Sequence, residues 1–180
     1  MTTYVLTAIG DDRPGLVAAL AAAVDEHGGN WVDSQLALLA GKFAGIVQVD
    51  LPDAEVENFL TALPALADAV GLAVEATAAE AGASPTTGAS GSVGLPFQLR
   101  LLGQDRTGMV REVTSALTSQ GATIDALRSW TREAPEGGGM LFEAEAEVRL
   151  PGDAAAEKVR EALERIGAEL MVDLELDAAD

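Results

Sequence analysis

The stretch Gly10-Asp11-Asp12-Arg13-Pro14-Gly15-Leu16-Val17 returns at an offset of 93 as Gly103-Gln104-Asp105-Arg106-Thr107-Gly108-Met109-Val110, with five of the eight residues identical. Each copy follows an apolar run that reads as a strand and opens an amphipathic run with the period of a helix. A strand-to-helix connection that occurs twice restricts this chain to two small units of related fold, each under about 90 residues. Units of that size bury a core but keep much surface, so they gain from docking on a neighbour.

Both halves present the same order of patterns. In the first, Thr3–Ile9 reads as a strand, and Leu16, Leu20 and Val24, with Val17 beside them, form the apolar stripe of a helix that Gly28-Gly29 stops. Asp12 or Arg13 is the expected helix cap, with Pro14 at the first helical position, where its missing N–H costs nothing. Asn30–Leu39 and Phe43–Leu51 read as a hairpin about Ala40-Gly41-Lys42. Val56, Phe59, Leu60 and Leu63 mark a second helix opened by Pro52-Asp53, which Pro64 is expected to kink or end. Leu72–Ala76 reads as a fourth strand.

Residues 78–94 lose all periodicity and are rich in Gly, Ser, Thr, Pro and Ala. They read as a flexible linker between a first domain at 1–77 and a second at 95–180. The second half then gives a strand Phe97–Leu102, a helix Met109–Gln120 with the stripe Met109, Val113 and Leu117, and strands Thr123–Arg132 and Met140–Leu150. A helix Asp153–Ile166, a strand Glu169–Leu176 and a polar tail complete it. Each half is βαββαβ, which predicts an α+β, ferredoxin-like domain: a four-stranded antiparallel sheet with two helices on one face. Open sheet faces and edges need cover, so association between repeats or between chains into an oligomer is expected.

Composition closes off several function classes. There is no cysteine and one histidine, His27, which removes disulfides, thiolate nucleophiles and multi-His metal sites within one chain. Twenty-nine acidic against 11 basic side chains give a net charge of −18 with no basic cluster, so direct nucleic-acid binding is not expected. No run approaches a membrane span and the N-terminus carries no signal pattern, which predicts a cytoplasmic protein with no membrane role. Trp31 and Trp130 read as core or interface anchors rather than a cofactor site, and nothing calls for a cofactor or metal.

The βαββαβ order, the Gly-x-Asp-Arg-x-Gly loop after the first strand, and the step Gly28-Gly29-Asn30 into the second strand together resemble the ACT domain family. Two such domains in tandem, without a catalytic domain, are similar to the glycine cleavage system transcriptional repressors. Similar loops occur in the regulatory domain of formyltetrahydrofolate deformylases and in nitrogen-sensing uridylyltransferases. The resemblance implies a non-catalytic regulator that binds an amino acid or other small metabolite at domain interfaces and signals to a protein partner.

A helix N-terminus offers unpaired N–H groups and partial positive charge to a carboxylate, and an acidic side chain can accept from an ammonium. The expected ligand site is therefore Asp11, Asp12, Arg13, Pro14, Gly15 and Leu16, joined by Asn30, which is expected near the loop at the start of the adjacent strand. By resemblance, Asn30 is the position that bridges a ligand across a paired domain. The second loop, Gln104, Asp105, Arg106, Thr107, Gly108 and Met109 with Thr123, lacks the counterparts of Asp11, Pro14 and Asn30 and reads as a weaker site. Two other readings stand beside this one. Arg13 with Asn30 superficially offers the pair an acylphosphatase uses, although Asp11 and Asp12 would repel an acyl phosphate. A scaffold whose loops bind nothing is the other.

Overall fold

The computed structural model describes residues 1–79, 94–135, 138–170 and 172–178, and the chain divides into two units between Pro85 and Thr86. The first unit runs β1 (Thr2–Asp11), α1 (Leu16–Glu26), β2 (Asn30–Leu39), β3 (Lys42–Leu51), α2 (Val56–Val70) and β4 (Leu72–Ala78). The second runs β5 (Leu95–Gln104), α3 (Met109–Ser119), β6 (Thr123–Glu133), β7 (Met140–Leu150), α4 (Asp153–Leu170) and β8 (Val172–Ala178). Each unit holds one antiparallel sheet, ordered β2-β3-β1-β4 in the first and β6-β7-β5-β8 in the second. The α+β, ferredoxin-like fold is thus present twice. The linker expected at 78–94 lies almost wholly outside the described residues; of its start, Ala78 ends β4 and the Ala79 N–H donates to the Thr3 carbonyl at 2.9 Å.

Strand alternation and helical period meet in one core per unit. In the first, Leu6 and Ala8 of β1, Val47, Val49 and Leu51 of β3 and Leu72 of β4 lie against Leu16, Leu20 and Val24 of α1 and Phe59 and Leu63 of α2. In the second, Phe97, Leu99 and Leu101 of β5 and Ala146, Val148 and Leu150 of β7 meet Met109, Val113 and Leu117 of α3 and Val159 and Leu163 of α4. Burying each large aliphatic side chain contributes about 1.5–3 kcal/mol. Among the described residues no polar side chain is buried. Val17 and Leu60, expected on the apolar faces, are instead exposed, because each is turned outward from the buried neighbour that precedes it.

Four local expectations are corrected. Helix α2 continues through Pro64: the proline removes the N–H that would reach the Leu60 carbonyl, but both residues are on the solvent side, where water serves that carbonyl. Helix α4 runs on past Ile166 to Leu170, so Glu169 is helical, since Ala168-Glu169-Leu170 are good helix formers. Strand β8 then takes in Asp177 and Ala178 from the expected tail. In the first hairpin, Lys42 already belongs to β3. Its turn has only two residues, Ala40 at φ 50° and Gly41 at φ 76°, the paired positive values that match strand twist.

Candidate functional site

Strand β1 extends through Asp11 before the chain turns toward α1. Asp11 stands opposite Lys42 in the register, and the Lys42 ammonium donates to its carboxylate. That hydrogen bond, followed by the charge of Lys42, holds the Asp11 carboxyl below its ordinary value of 3.8. The Asp12 N–H donates to the Gly41 carbonyl at 3.0 Å, which ties the loop to the hairpin turn. Arg13 reaches across to the end of α2: a Cβ added at Gly71 would meet its Nη1 at 3.3 Å. Gly71 is the C-cap of α2, so the guanidinium sits at that helix's negative end.

The helix cap is Gly15, not Asp12 or Arg13. Gly15 has φ 93° and its carbonyl accepts from the Ala19 N–H at 2.9 Å, while no side chain caps α1. The left-handed turn at Gly15 sets the helix start beyond Pro14, and Asp12 is left three residues before the cap. Pro14 is exposed in the turn, and Leu16 is a core residue only 3 % exposed, so Leu16 brings to the loop only its backbone.

The second loop repeats this backbone with different side chains. Gln104 ends β5 opposite Leu141, and the Asp105 N–H donates to the Met140 carbonyl at 2.8 Å. Gly108, at φ 94°, caps α3 and accepts from the Glu112 N–H at 3.0 Å. Arg106 and Thr107 are exposed, and Met109, at 2 % exposure, is core.

Asn30 is not near its own loop. It pairs with Asp50, which pairs with Thr3 at the opposite end of β1, eight strand positions, or about 26 Å, from Asp11. Thr123 likewise pairs with Arg149 opposite Pro96, eight positions from Gln104. The reason is topological: α1 carries the chain from the loop end of the sheet back to the far end before β2 begins. The same separation removes the Arg13–Asn30 pair on which an acylphosphatase-like reading depends.

Sequence reasoning missed Lys42 and Gly71, which pairing brings to the loop from 31 and 60 residues further along the chain. The turn residues Ala40-Gly41 were the available signal, since a two-residue turn sets Lys42 opposite the end of β1. Arg13 and Lys42 are also the only basic side chains in residues 1–79, against eleven acidic ones. The tryptophans divide. Trp31 packs against the first core, whereas Trp130 lies on the outer face of its sheet, its Nε1 donating to Glu143 at 3.0 Å with Arg128 5.4 Å from its ring. His27 has Nδ1 2.8 Å from the Ala23 carbonyl and sets its ring edge-on to Phe59, a structural position. Among the described residues no group of three or more His, Cys, Asp or Glu could hold a metal ion, and no helix is long and apolar enough to cross a membrane.

Comparison with known proteins agrees with this geometry. Residues 2–77 match the model of the ACT domain. A UPF0237 protein of Methanopyrus kandleri is 43 % identical over 56 residues, which are 31 % of this chain and 62 % of that protein; the chain thus spans under two thirds of this curated relative. Among solved structures, an unknown protein from Galdieria sulphuraria matches with a TM-score of 0.81 and 28 % identity, over 99 % of both chains. A structure described as a candidate glycine cleavage system transcriptional repressor matches over 99 % of this chain and 98 % of its own, with a TM-score of 0.68 and 17 % identity, which is a likeness of fold. ACT domains are regulatory, non-catalytic modules. The match to the ACT domain thus covers the first unit, and the second unit repeats its topology and its Gly-x-Asp-Arg-x-Gly loop.

Proposed function

We propose that this protein is a regulator, in amino-acid or one-carbon metabolism or its transcriptional control, that binds an amino acid at the β1–α1 loop of its first unit and signals to a protein partner. The observation that carries the reading is the placement of charge. In a unit with eleven acidic side chains, both cations stand on or against the loop that leads into α1: Lys42 pairs with Asp11, and Arg13 lies at the C-terminal end of α2; the helix start adds its unpaired N–H groups. A ligand carboxylate is drawn there, and Asp12, exposed beside it, offers an acceptor to the ammonium. The second loop keeps Arg106 and Asp105 but has Gln104 and Leu141 where the first has Asp11 and Lys42, so it binds more weakly. Asn30, about 26 Å from this loop, takes no part in the site of its own unit. Occupancy reaches a partner to the extent that the ligand favours one conformation over another.

The test is a thermal-shift screen of the whole chain against the common amino acids, followed by calorimetry of any that act. A ligand at a hundred times its Kd adds about 2.7 kcal/mol to stability. Arg13→Ala and Lys42→Ala are each expected to weaken binding about tenfold, or 1.4 kcal/mol, and Arg106→Ala much less. No shift with any amino acid, or equal loss from all three substitutions, overturns the proposal.

A further inference from the structure

Strands β1 and β3 form the centre of the first sheet, and on its outer face they set Val5, Thr7, Ile9, Ala44, Ile46 and Gln48 side by side. None of the six is charged. At the matching places of the second sheet, β5 and β7 carry Gln98, Arg100, Leu102, Glu143, Glu145 and Glu147, of which four are charged. Ile9 and Ile46 are 56 % and 46 % exposed, and Thr7 between them is exposed too. A sheet face that meets only water has no need to shed charge, as the second unit shows in the same chain. Loss of charge at the centre of a surface is what marks the middle of an interface.

The charges that remain lie on the two edge strands, and they select the occupant. Glu75 of β4 is in the row of Thr7, Ile46 and Gln35, and Asp33 of β2 is in the row of Gln48, Val5 and Thr77. The strand order is β2-β3-β1-β4. A half-turn about an axis along the strands, between β3 and β1, therefore lays β2 on β4 and β3 on β1 of a second copy, row on row. Glu75 then faces the side-chain amide of Gln35, Asp33 faces the hydroxyl of Thr77, and Ile9 faces Ala44. Each carboxylate meets a neutral donor and no like charges are opposed. Two sheets pack face to face in this way about 10 Å apart, with their strands some 30° from aligned. Four strands at about 4.8 Å and three rows at about 6.7 Å give a footprint of roughly 400 Å² per copy, the size of a reversible contact rather than an obligate one.

We propose that the outer face of the first sheet is a self-association surface, on which a second copy of this chain seats the same face to form a reversible, two-fold symmetric dimer. The contact uses the face of the sheet and leaves the edge strands β2 and β4 unpaired.

The experiment uses the whole chain in sedimentation velocity over a range of concentrations, with single cysteines introduced for cross-linking, since the chain has none of its own. An equilibrium that moves from monomer to dimer with concentration is expected. Ile46→Glu puts at the centre the residue type that the second unit carries at Glu145. It is expected to raise the dimer's Kd about tenfold or more, because its carboxylate enters the contact unpaired. Thr7→Cys is expected to cross-link between copies with a short bismaleimide, and Arg100→Cys, at the equivalent place in the second unit, is not. Association through the β2 edges would instead hold the two Thr7 positions about 24 Å apart, five strand spacings, beyond the reach of the reagent. A chain that stays monomeric, a dimer that survives Ile46→Glu, or a dimer in which Thr7→Cys fails to cross-link each overturns the proposal.

Discussion

Where Thr7 of β1 lies between Ile46 and Glu75, Arg100 of β5 lies between Glu145 and Glu175. One row toward the loops, Ala73, Ile9, Ala44 and Ala37 follow one another across the first sheet, while Asp173, Leu102, Glu143 and Trp130 do so across the second. In the row of Ile9 the outer face of the first sheet is thus small and apolar, with Ile9 and the nearby Ile46 about half exposed. The second is laced with charge: Arg132 bonds Glu143, and Arg149 bonds Asp125 at 2.6 Å. Cross-strand pairs of opposite charge stabilise a sheet by about 0.2–1 kcal/mol each. The inner faces, by contrast, are apolar in both units. Burial holds a repeat to its pattern and exposure releases it, so the two copies share a core plan, a register and a loop backbone while their surfaces have diverged.

The cores offer the strongest way to sharpen this comparison. Phe59 on α2 and Val159 on α4 are both fully buried at matching places in the two helix pairs. Phe59→Ala is expected to cost about 3–5 kcal/mol, and Val159→Ala distinctly less, because less buried surface is removed. Hydrogen exchange measured in each unit separately checks this, and equal losses would break the idea that the two cores rely on different side chains. An intermediate effect is expected at the loops. Gly15→Ala and Gly108→Ala each force a Cβ into the left-handed region at a cost of about 1–2 kcal/mol. Because the two φ values, 93° and 94°, agree, the costs should agree in denaturant unfolding, and a clear difference would show that the loops are not equivalent in backbone.

The smallest effect concerns pH and separates Asp11 from Gln104. The Asp11 carboxyl is held low by Lys42, so its contribution to folding is present above the ordinary carboxylate value of 3.8 and is lost as pH falls below that through the lowered folded value. A carboxylate titration by NMR should find Asp11 depressed in the wild type and returned toward 3.8 in Lys42→Met. An unchanged midpoint in that variant rules out Lys42 as the cause. Gln104, at the equivalent place, has no such titration.

Much of the fold was legible in the chain because the relevant signals are local. The stripes Leu16-Leu20-Val24 and Met109-Val113-Leu117 are buried as their period requires, and strand Met140–Leu150 has the expected bounds. Pro64 misled because its cost depends on whether the freed carbonyl reaches water, which is a property of the helix's placement. Asp12 misled because a carboxylate shortly before a helix resembles a cap until the backbone angle at Gly15 is known. For the candidate site the loop itself was legible and its surroundings were not. Lys42 and the end of α2 come to it through strand pairing, and Asn30 leaves it for the same reason.

By itself the sequence determined that there are two copies of one βαββαβ pattern, which residues form most of each core, and where Gly28-Gly29 stops the first helix. Each of these follows from period, from repetition or from the conformational freedom of one residue. Only the tertiary structure decided which groups stand together: that Lys42 and the C-terminal end of α2 come to the first loop, and that Asn30 stands about 26 Å from its own loop. Those outcomes rest on the register of strands distant in sequence, where a position along the chain does not reveal which end of the sheet it will occupy.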